Sequence, residues 1–119
     1  KADPSNAQAQ RDVSVSLDNV GGIKAAQGDA AGALAAYQQS LDIREVLAKA
    51  DPSNAQAQRD VWVSHLRLWS ITADADVRIR HAREVDRVLS GLDERGAHIS
   101  PADRKLWASI QQWLSENPP

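Results

Sequence analysis

The sequence predicts an all-α protein, an α-solenoid of stacked helical hairpins closed by a C-terminal helix. Residues 1–13 recur unchanged as residues 49–61, so the chain contains an internal repeat with a period of 48. Apolar residues fall three or four positions apart in both copies, which is the spacing of one helix face. Residues that favour turns, namely Gly, Pro, Asp and Asn, separate these periodic segments. Repeats of this length bury their apolar faces by stacking on one another.

Composition narrows the classes of function. Of the 119 residues, 42% are hydrophobic and 25% are charged, as in an ordinary globular domain. The chain has 14 basic and 16 acidic residues, and the net charge of -2 gives no basic surface for nucleic acid or anionic lipid. Cysteine is absent, which removes disulfides, thiolate metal sites and cysteine nucleophiles. We therefore expect neither a nucleic-acid nor a membrane partner.

The first repeat is predicted to form two helices joined by a short turn. We expect the first helix over residues 7–27, with Asn6 as its N-cap and Gly28 as its breaker. One face of this helix carries its apolar residues: Val13, Leu17, Val20 and Ile23. We expect the second helix over residues 30–49. Its inward side is predicted to hold Leu34, Tyr37, Leu41 and either Val46 or Leu47.

The second repeat follows the same plan. Asn54 is predicted to cap a third helix that ends near Ile71, and a turn at residues 74–76 leads to a fourth helix. Gly96 is expected to close that helix from the C′ position. The apolar stripe of the fourth helix is predicted to comprise Val77, Ala82, Val85, Leu89 and Leu92.

A fifth helix is predicted after the two repeats. Ser100 supplies an N-cap and Pro101 fits the first helical turn, while Asn117 and the prolines after it end the segment. The wide apolar face of this helix comprises Leu106, Trp107, Ile110, Trp113 and Leu114. We expect residues 97–119 to form a C-terminal capping helix and tail.

Five residues of the first repeat stand at the spacing of a known helical-repeat motif: Leu17, Val20, Gly21, Ala33 and Tyr37. With them the chain resembles the tetratricopeptide repeat (TPR) family, whose unit has about 34 residues. A period of 48 corresponds to that unit with each helix lengthened by seven residues, about two turns, which preserves the phase of the apolar stripe. The resemblance implies two TPR-like hairpins of a long bacterial type, residues 1–48 and 49–96, in a right-handed superhelix.

The resemblance also implies a function. It suggests a cytoplasmic, non-catalytic scaffold for protein–protein interaction, which binds a peptide or a partner helix in a concave groove. The phase of the repeat gives the groove positions as Val15, Asp18, Asn19, Gly22, Ala26, Val63, Leu66, Arg67 and Ser70.

The alternative function is self-association, or a regulatory arm of a larger multidomain bacterial protein. The sequence begins at Lys1 inside an inter-repeat linker, so we expect it to be an excised or processed piece. The first hairpin is then expected to expose a face that an earlier repeat would cover, through which a homo-oligomer could form.

The residues that commonly carry chemistry form no recognisable site. The three histidines lie 16 and 17 residues apart: His65, His81 and His98. His81 and Glu84 share a helix face, but no second such pair completes a dinuclear metal site. Ser64 and His65 are adjacent, so their side chains point apart on a helix. We expect no catalytic residue, no metal, no cofactor and no enzyme activity.

Two clusters leave alternatives open. The arginines of the fourth helix could bind an acidic peptide or phosphate: Arg78, Arg80, Arg83 and Arg87. Intrahelical ion pairs favour a solvated face instead, and the predicted pairs are Asp74–Arg78, Asp76–Arg80, Arg83–Asp86 and Glu84–Arg87. The tryptophans could form a binding pocket or pack the last helix onto the repeats: Trp62, Trp69, Trp107 and Trp113. We favour packing, because two repeats provide less core than the three or so that are usually needed.

Overall fold

The structure is a computed structural model that describes residues 4–119, with side chains from Asn6 onward. Residues 1–3, the start of the predicted first repeat, lie outside the described residues. Five helices and no strand occur over 4–119, which confirms the all-α prediction. The helices are α1 (Pro4–Ala26), α2 (Ala30–Ala50), α3 (Ala55–Ile71), α4 (Ala75–Glu94) and α5 (Pro101–Glu116).

The two copies of the repeated sequence begin their helices differently. Helix α1 begins at Pro4, three residues before the predicted start, so the predicted capping role of Asn6 is wrong. In the second copy Asn54 does cap α3, where its Oδ1 accepts the N–H of Ala57 at 3.1 Å. The chain must leave α2 and reverse direction before α3, which forces a break there. Within the described residues no helix precedes α1, and proline is well tolerated in a first helical turn.

Glycines end two of the helices as predicted. Gly28 and Gly96 have φ values of 80° and 74°, in the left-handed region that favours glycine. Each closes a Schellman motif, in which the N–H of the following residue bonds a carbonyl five positions back, at 2.8 Å after α1 and 3.0 Å after α4. Asp29 then caps α2 by accepting the N–H of Gly32 at 2.9 Å. The turn between α1 and α2 is therefore fixed by local chemistry.

The start of α5 agrees with the sequence analysis, whereas α4 begins at Ala75, inside the turn predicted at residues 74–76. Asp74 accepts the N–H of Val77 at 3.0 Å, and Ser100 accepts the N–H of Asp103 at 3.1 Å. Pro101 occupies the first turn of α5, as predicted. These caps satisfy backbone donors that have no partner inside the helix.

Each helix packs its backbone against its neighbours in sequence: α1 on α2, α2 on α3, α3 on α4 and α4 on α5. The largest buried side chains come from the middle helices, and Ile110 of α5 joins them. The core includes Tyr37, Leu41, Val61, Trp62, Leu68, Val85, Leu89 and Leu92. On α2 the half-buried Leu47 takes the inward position, since Val46 is 68% exposed.

The predicted apolar stripe of α1 does not face this core. Val13, Val20 and Ile23 are 48%, 42% and 59% exposed, and Leu17 is half-buried. The buried positions of α1 are small or polar: Ser14, Asp18 and Gly21. Because only the side with the small and polar residues packs on the rest of the protein, Val13, Val20 and Ile23 lie on the surface.

A close helix contact explains one of the glycines in α1. A Cβ atom added at Gly21 would lie 2.6 Å from Cε1 of Tyr37, which is 8% exposed. The ring therefore packs directly on the backbone of α1. A Cβ atom at the adjacent Gly22 would meet the Tyr37 hydroxyl at 3.8 Å, an ordinary van der Waals distance.

These two glycines give a matched pair of substitutions. Replacing glycine by alanine inside a helix normally stabilises it by about 1 kcal/mol. We expect Gly22→Ala to gain up to that amount, and Gly21→Ala to lower the free energy of unfolding by about 1–3 kcal/mol through overpacking. Urea denaturation of both variants checks the prediction, and equal effects of the two substitutions would contradict the close packing of Tyr37.

Candidate functional site

A buried arginine joins the first three helices. Arg44 of α2 is 4% exposed. Its guanidinium donates to Ser14 Oγ at 3.1 Å and Ser64 Oγ at 3.0 Å, and its Nη2 lies 2.9 Å from Asp18 Oδ2. Burial lowers the pKa of Arg44, and the nearby carboxylates partly offset this effect. The rigid fork of donors thus holds acceptors from α1 and α3 at the same time.

Asp18 is the buried counterion of this network. Its Oδ2 also accepts from Arg67 of α3 at 2.8 Å, and the residue is 8% exposed. Its Oδ1 has no hydrogen-bond partner among the described residues. A buried carboxylate is tolerated when cations compensate its lost hydration. The structure thus places Asp18, one of the predicted groove residues, inside the protein, where Arg44 and Arg67 bind its carboxylate.

Two bidentate ion pairs connect α1 to α3 and α3 to α5. Arg11 of α1 binds Asp60 of α3 at 2.7 and 3.2 Å, and Arg59 of α3 binds Asp103 of α5 at 2.8 and 3.1 Å. These hydrogen bonds raise the pKa of both arginines and lower the pKa of Asp103. Arg11 and Arg59 lie 48 residues apart, at the same position of the repeat. The same arginine of the repeat therefore forms an ion pair with an aspartate of a later helix in both copies.

The second repeat carries apolar residues where the first has this polar network. Ser40 also belongs to the network, since its Oγ donates to the carbonyl of Ser14 at 3.1 Å. The corresponding pairs are Ser14 and Trp62, Asp18 and Leu66, Ser40 and Val88, and Arg44 and Leu92. Trp62 and Leu92 are 1% and 5% exposed, so apolar side chains fill the same positions well. A buried ion pair seldom stabilises more than apolar packing does, but it demands one arrangement of its partners. We infer that the network specifies how α1 sits on α2 and α3.

A cleft of about 450 Å³ opens beside Arg44. It lies between the N-terminal halves of α1 and α3 and over the C-terminal end of α2. Alanines and Leu47 provide apolar walls, while two arginines, two carboxylates and three side-chain amides provide polar groups. Its lining residues are Ala7, Gln8, Arg11, Arg44, Leu47, Ala50, Asp51, Asn54, Gln56, Ala57 and Asp60. Such a mixture suits a ligand with both apolar and hydrogen-bonding groups.

None of the predicted groove residues lines this cleft. Val15, Asn19, Gly22, Ala26 and Ser70 are exposed, whereas Val63, Leu66 and Arg67 are half-buried. They lie on α1 and α3, the two helices that border the cleft. The feature of the sequence that could have located the cleft is the identical stretch, because most lining residues belong to residues 1–13 or 49–61. Repeat phase alone cannot show where three helix ends leave space between them.

A histidine pair forms between α3 and α4. Nδ1 of His65 lies 2.9 Å from Nδ1 of His81, although 16 residues separate them in the chain. One neutral ring donates and the other accepts. Nε2 of His65 is buried without a partner in the described structure, so we place its proton on Nδ1, where it can be donated. Sequence spacing missed this pair because it forms across two helices.

The predicted ion pairs of α4 form at one position only. Glu84 accepts from Arg87 at 2.8 Å, and this bond lowers the pKa of Glu84. Asp74 is occupied by its capping role, and Asp86 accepts the indole N–H of a tryptophan in α5 at 2.8 Å. The other three predicted pairs are therefore wrong for the described part of the chain: Asp74–Arg78, Asp76–Arg80 and Arg83–Asp86.

Arg78 instead contacts two tryptophans. Its guanidinium lies 4.8 Å from the ring centre of Trp69 and 5.0 Å from that of Trp113. The two rings meet edge to face, with centres 5.4 Å apart. The Nε of Arg78 also donates to the carbonyl of Trp69 at 3.1 Å. Trp69 of α3 thus contacts Trp113 of α5, and Trp107 of α5 donates to Asp86 of α4. The tryptophans pack α5 against α3 and α4, which is the alternative that the sequence favoured, and Trp62 is fully buried in the core.

Neither a metal site among the described residues nor a related protein points to a function. Among residues 4–119, no group of three or more histidine, cysteine or acidic side chains could hold a metal ion. No helix in that range has the length and apolarity to cross a membrane. Comparison with protein-family models, curated proteins and solved structures finds no match.

The histidine pair predicts a pH-dependent stability. Burial, and then the neighbouring His81, lowers the pKa of His65 from 6.5 to about 4. Below pH 6.5 the unfolded chain binds a proton that the folded chain excludes, so stability is lost as the pH falls towards 4. We expect His65 to account for a loss of about 2 kcal/mol between pH 7 and pH 5, measured by urea denaturation.

Two variants separate this effect from other acid effects. His65→Leu places the residue found at the equivalent Leu17 and should reduce the loss between pH 7 and pH 5, while burial, which also lowers the pKa of His81, keeps a smaller part of it. His98→Gln changes an exposed histidine and should retain the loss. An equal pH dependence in the wild type and His65→Leu would show that the buried pair is not its source.

Proposed function

We propose that the protein is a non-catalytic scaffold for protein–protein interaction. In this proposal it is a short solenoid of two TPR-like hairpins with α5 as the end cap, and it binds a peptide or partner helix between α1 and α3. The cleft beside Arg44 is the observation that supports this function best. Sequential packing of the helices and the repeated ion pairs that bridge α1 to α3 and α3 to α5 agree with it.

The cleft chemistry suggests the kind of segment that it binds. Leu47 and the alanines form a wall for one or two apolar side chains. Gln8, Asn54 and Gln56 are exposed amides at the cleft, and each can donate to and accept from a peptide backbone. The Arg11 side chain is 31% exposed although it binds Asp60, so it remains within reach of a carbonyl or carboxylate group. These groups favour a short amphipathic peptide over a purely charged ligand.

A cleft-filling substitution tests this function. Peptides selected from a displayed random library against the full chain should lose at least about tenfold in affinity for Gln56→Trp, a loss of about 1.4 kcal/mol. Gln56 is exposed and lines the cleft, so the new ring can occupy the space without disturbing the core. Binding is measured by isothermal titration calorimetry.

The matched control is Gln39→Trp, at an exposed position of α2 that does not line the cleft. It adds the same ring elsewhere and should leave peptide affinity unchanged. Peptides that bind Gln56→Trp as tightly as they bind the wild type would place the binding site outside the cleft.

A further inference from the structure

Helix α1 exposes a surface whose counterpart on α3 is buried. We call this surface the α1 outer face, and it comprises Asp12, Val13, Ser16 and Val20. The residues 48 positions later on α3 are Asp60, Val61, Ser64 and Leu68. Val13 is 48% exposed and Val61 is 5% exposed, while Val20 is 42% exposed and Leu68 is 2% exposed. The same part of the repeat is thus covered in one copy and uncovered in the other.

On α3 these residues hold the preceding hairpin. Asp60 accepts two hydrogen bonds from Arg11 of α1, and Ser64 accepts one from Arg44 of α2. Val61 and Leu68 belong to the apolar core. The face therefore combines an apolar stripe with two acceptors, each matched to an arginine of the hairpin that it contacts.

The two copies retain this face while they differ on the opposite side. Aspartate, valine and serine are the same in both, and Val20 corresponds to another apolar residue, Leu68. The side of each helix that packs on the following helix differs in size and polarity at three pairs of corresponding positions: Ser14 and Trp62, Asp18 and Leu66, Gly21 and Trp69. Asp12 and Val13 lie in the stretch that is identical on all sides of the two helices, so the difference between the sides appears beyond it, where Ser16 is retained and position 20 stays apolar. The α1 outer face therefore has the residue types that bind the preceding hairpin on α3.

We propose that the α1 outer face binds a further helical hairpin of the same kind as α1–α2. The hairpin carries arginines at the positions of Arg11 and Arg44, which bind Asp12 and Ser16. The α1–α2 hairpin of a second copy does not fit this role, since its own α3 already covers the required surface.

A tandem extension tests the proposal directly. Residues 1–48 are added in front of the full chain, so that the added unit precedes α1 at the natural period. The chain contains no cysteine, which allows Val20→Cys to report burial by its reaction rate with a thiol reagent. We expect Cys at this position to react at least about tenfold more slowly in the extended chain than in the 119-residue chain.

Val46→Cys is the matched control. Val46 is 68% exposed and corresponds to the exposed Glu94 of the second repeat, so its reaction rate should be equal in the two chains. Equal rates for Val20→Cys in the two chains overturn the proposal, because a hairpin that docks would fold and cover this position. Protection in the 119-residue chain that increases with protein concentration would assign the face to a second copy and also overturn it.

Charge reversal tests the role of Asp12. Asp12→Arg in the extended chain should restore rapid reaction at position 20, and Arg11→Asp in the added unit should then recover the protection. Asp12 is exposed in the 119-residue chain, where its replacement should leave folding intact. Failure of the reversed pair to recover protection would rule out the arginine pairing.

Discussion

The charge of Arg44 sets the main constraint on this fold. A buried guanidinium needs acceptors around its whole plane, and here they come from Asp18 and Ser14 on α1 and from Ser64 on α3. The side of α1 that meets α2 must then be polar and small. The apolar residues of α1 lie on the other side, where they are exposed. One buried charge thus explains both the arrangement of three helices and the unusual surface of the first.

The two repeats fill their interiors with different kinds of residues. The second uses large apolar residues, with Trp62 and Leu92 in its interior, and α5 covers its far side. The first uses the buried polar network around Arg44, and a cleft of about 450 Å³ lies beside this network, between the first repeat and the start of the second. Because polar groups in a partly open site can exchange partners with a ligand, the junction between the two repeats is the better candidate for binding. The second repeat and α5 supply most of the apolar core.

The sequence predicted the features that depend only on neighbouring residues, namely the ends of the helices. The caps at Asn54 and Ser100 and the glycine at position 96 are fixed by a few neighbouring residues, and the structure confirms them. Periodicity could not show which side of α1 would be covered, since that depends on the buried partners of Arg44. Spacing along the chain likewise missed the contact of His65 with His81 and the stacking of Arg78 on tryptophans. Each joins residues from different helices, as does the cleft.

Hydrogen exchange of the α1 amides in Arg44→Leu tests most directly whether this arginine holds the first helix in place. Leucine is the residue at the equivalent position 92, so the change removes the charge while keeping an apolar group that the repeat accepts elsewhere. Loss of the network should make amides of residues 14–26 exchange at least about tenfold faster, with α4 and α5 unchanged. Exchange in α1 at the wild-type rate would contradict the central role of Arg44.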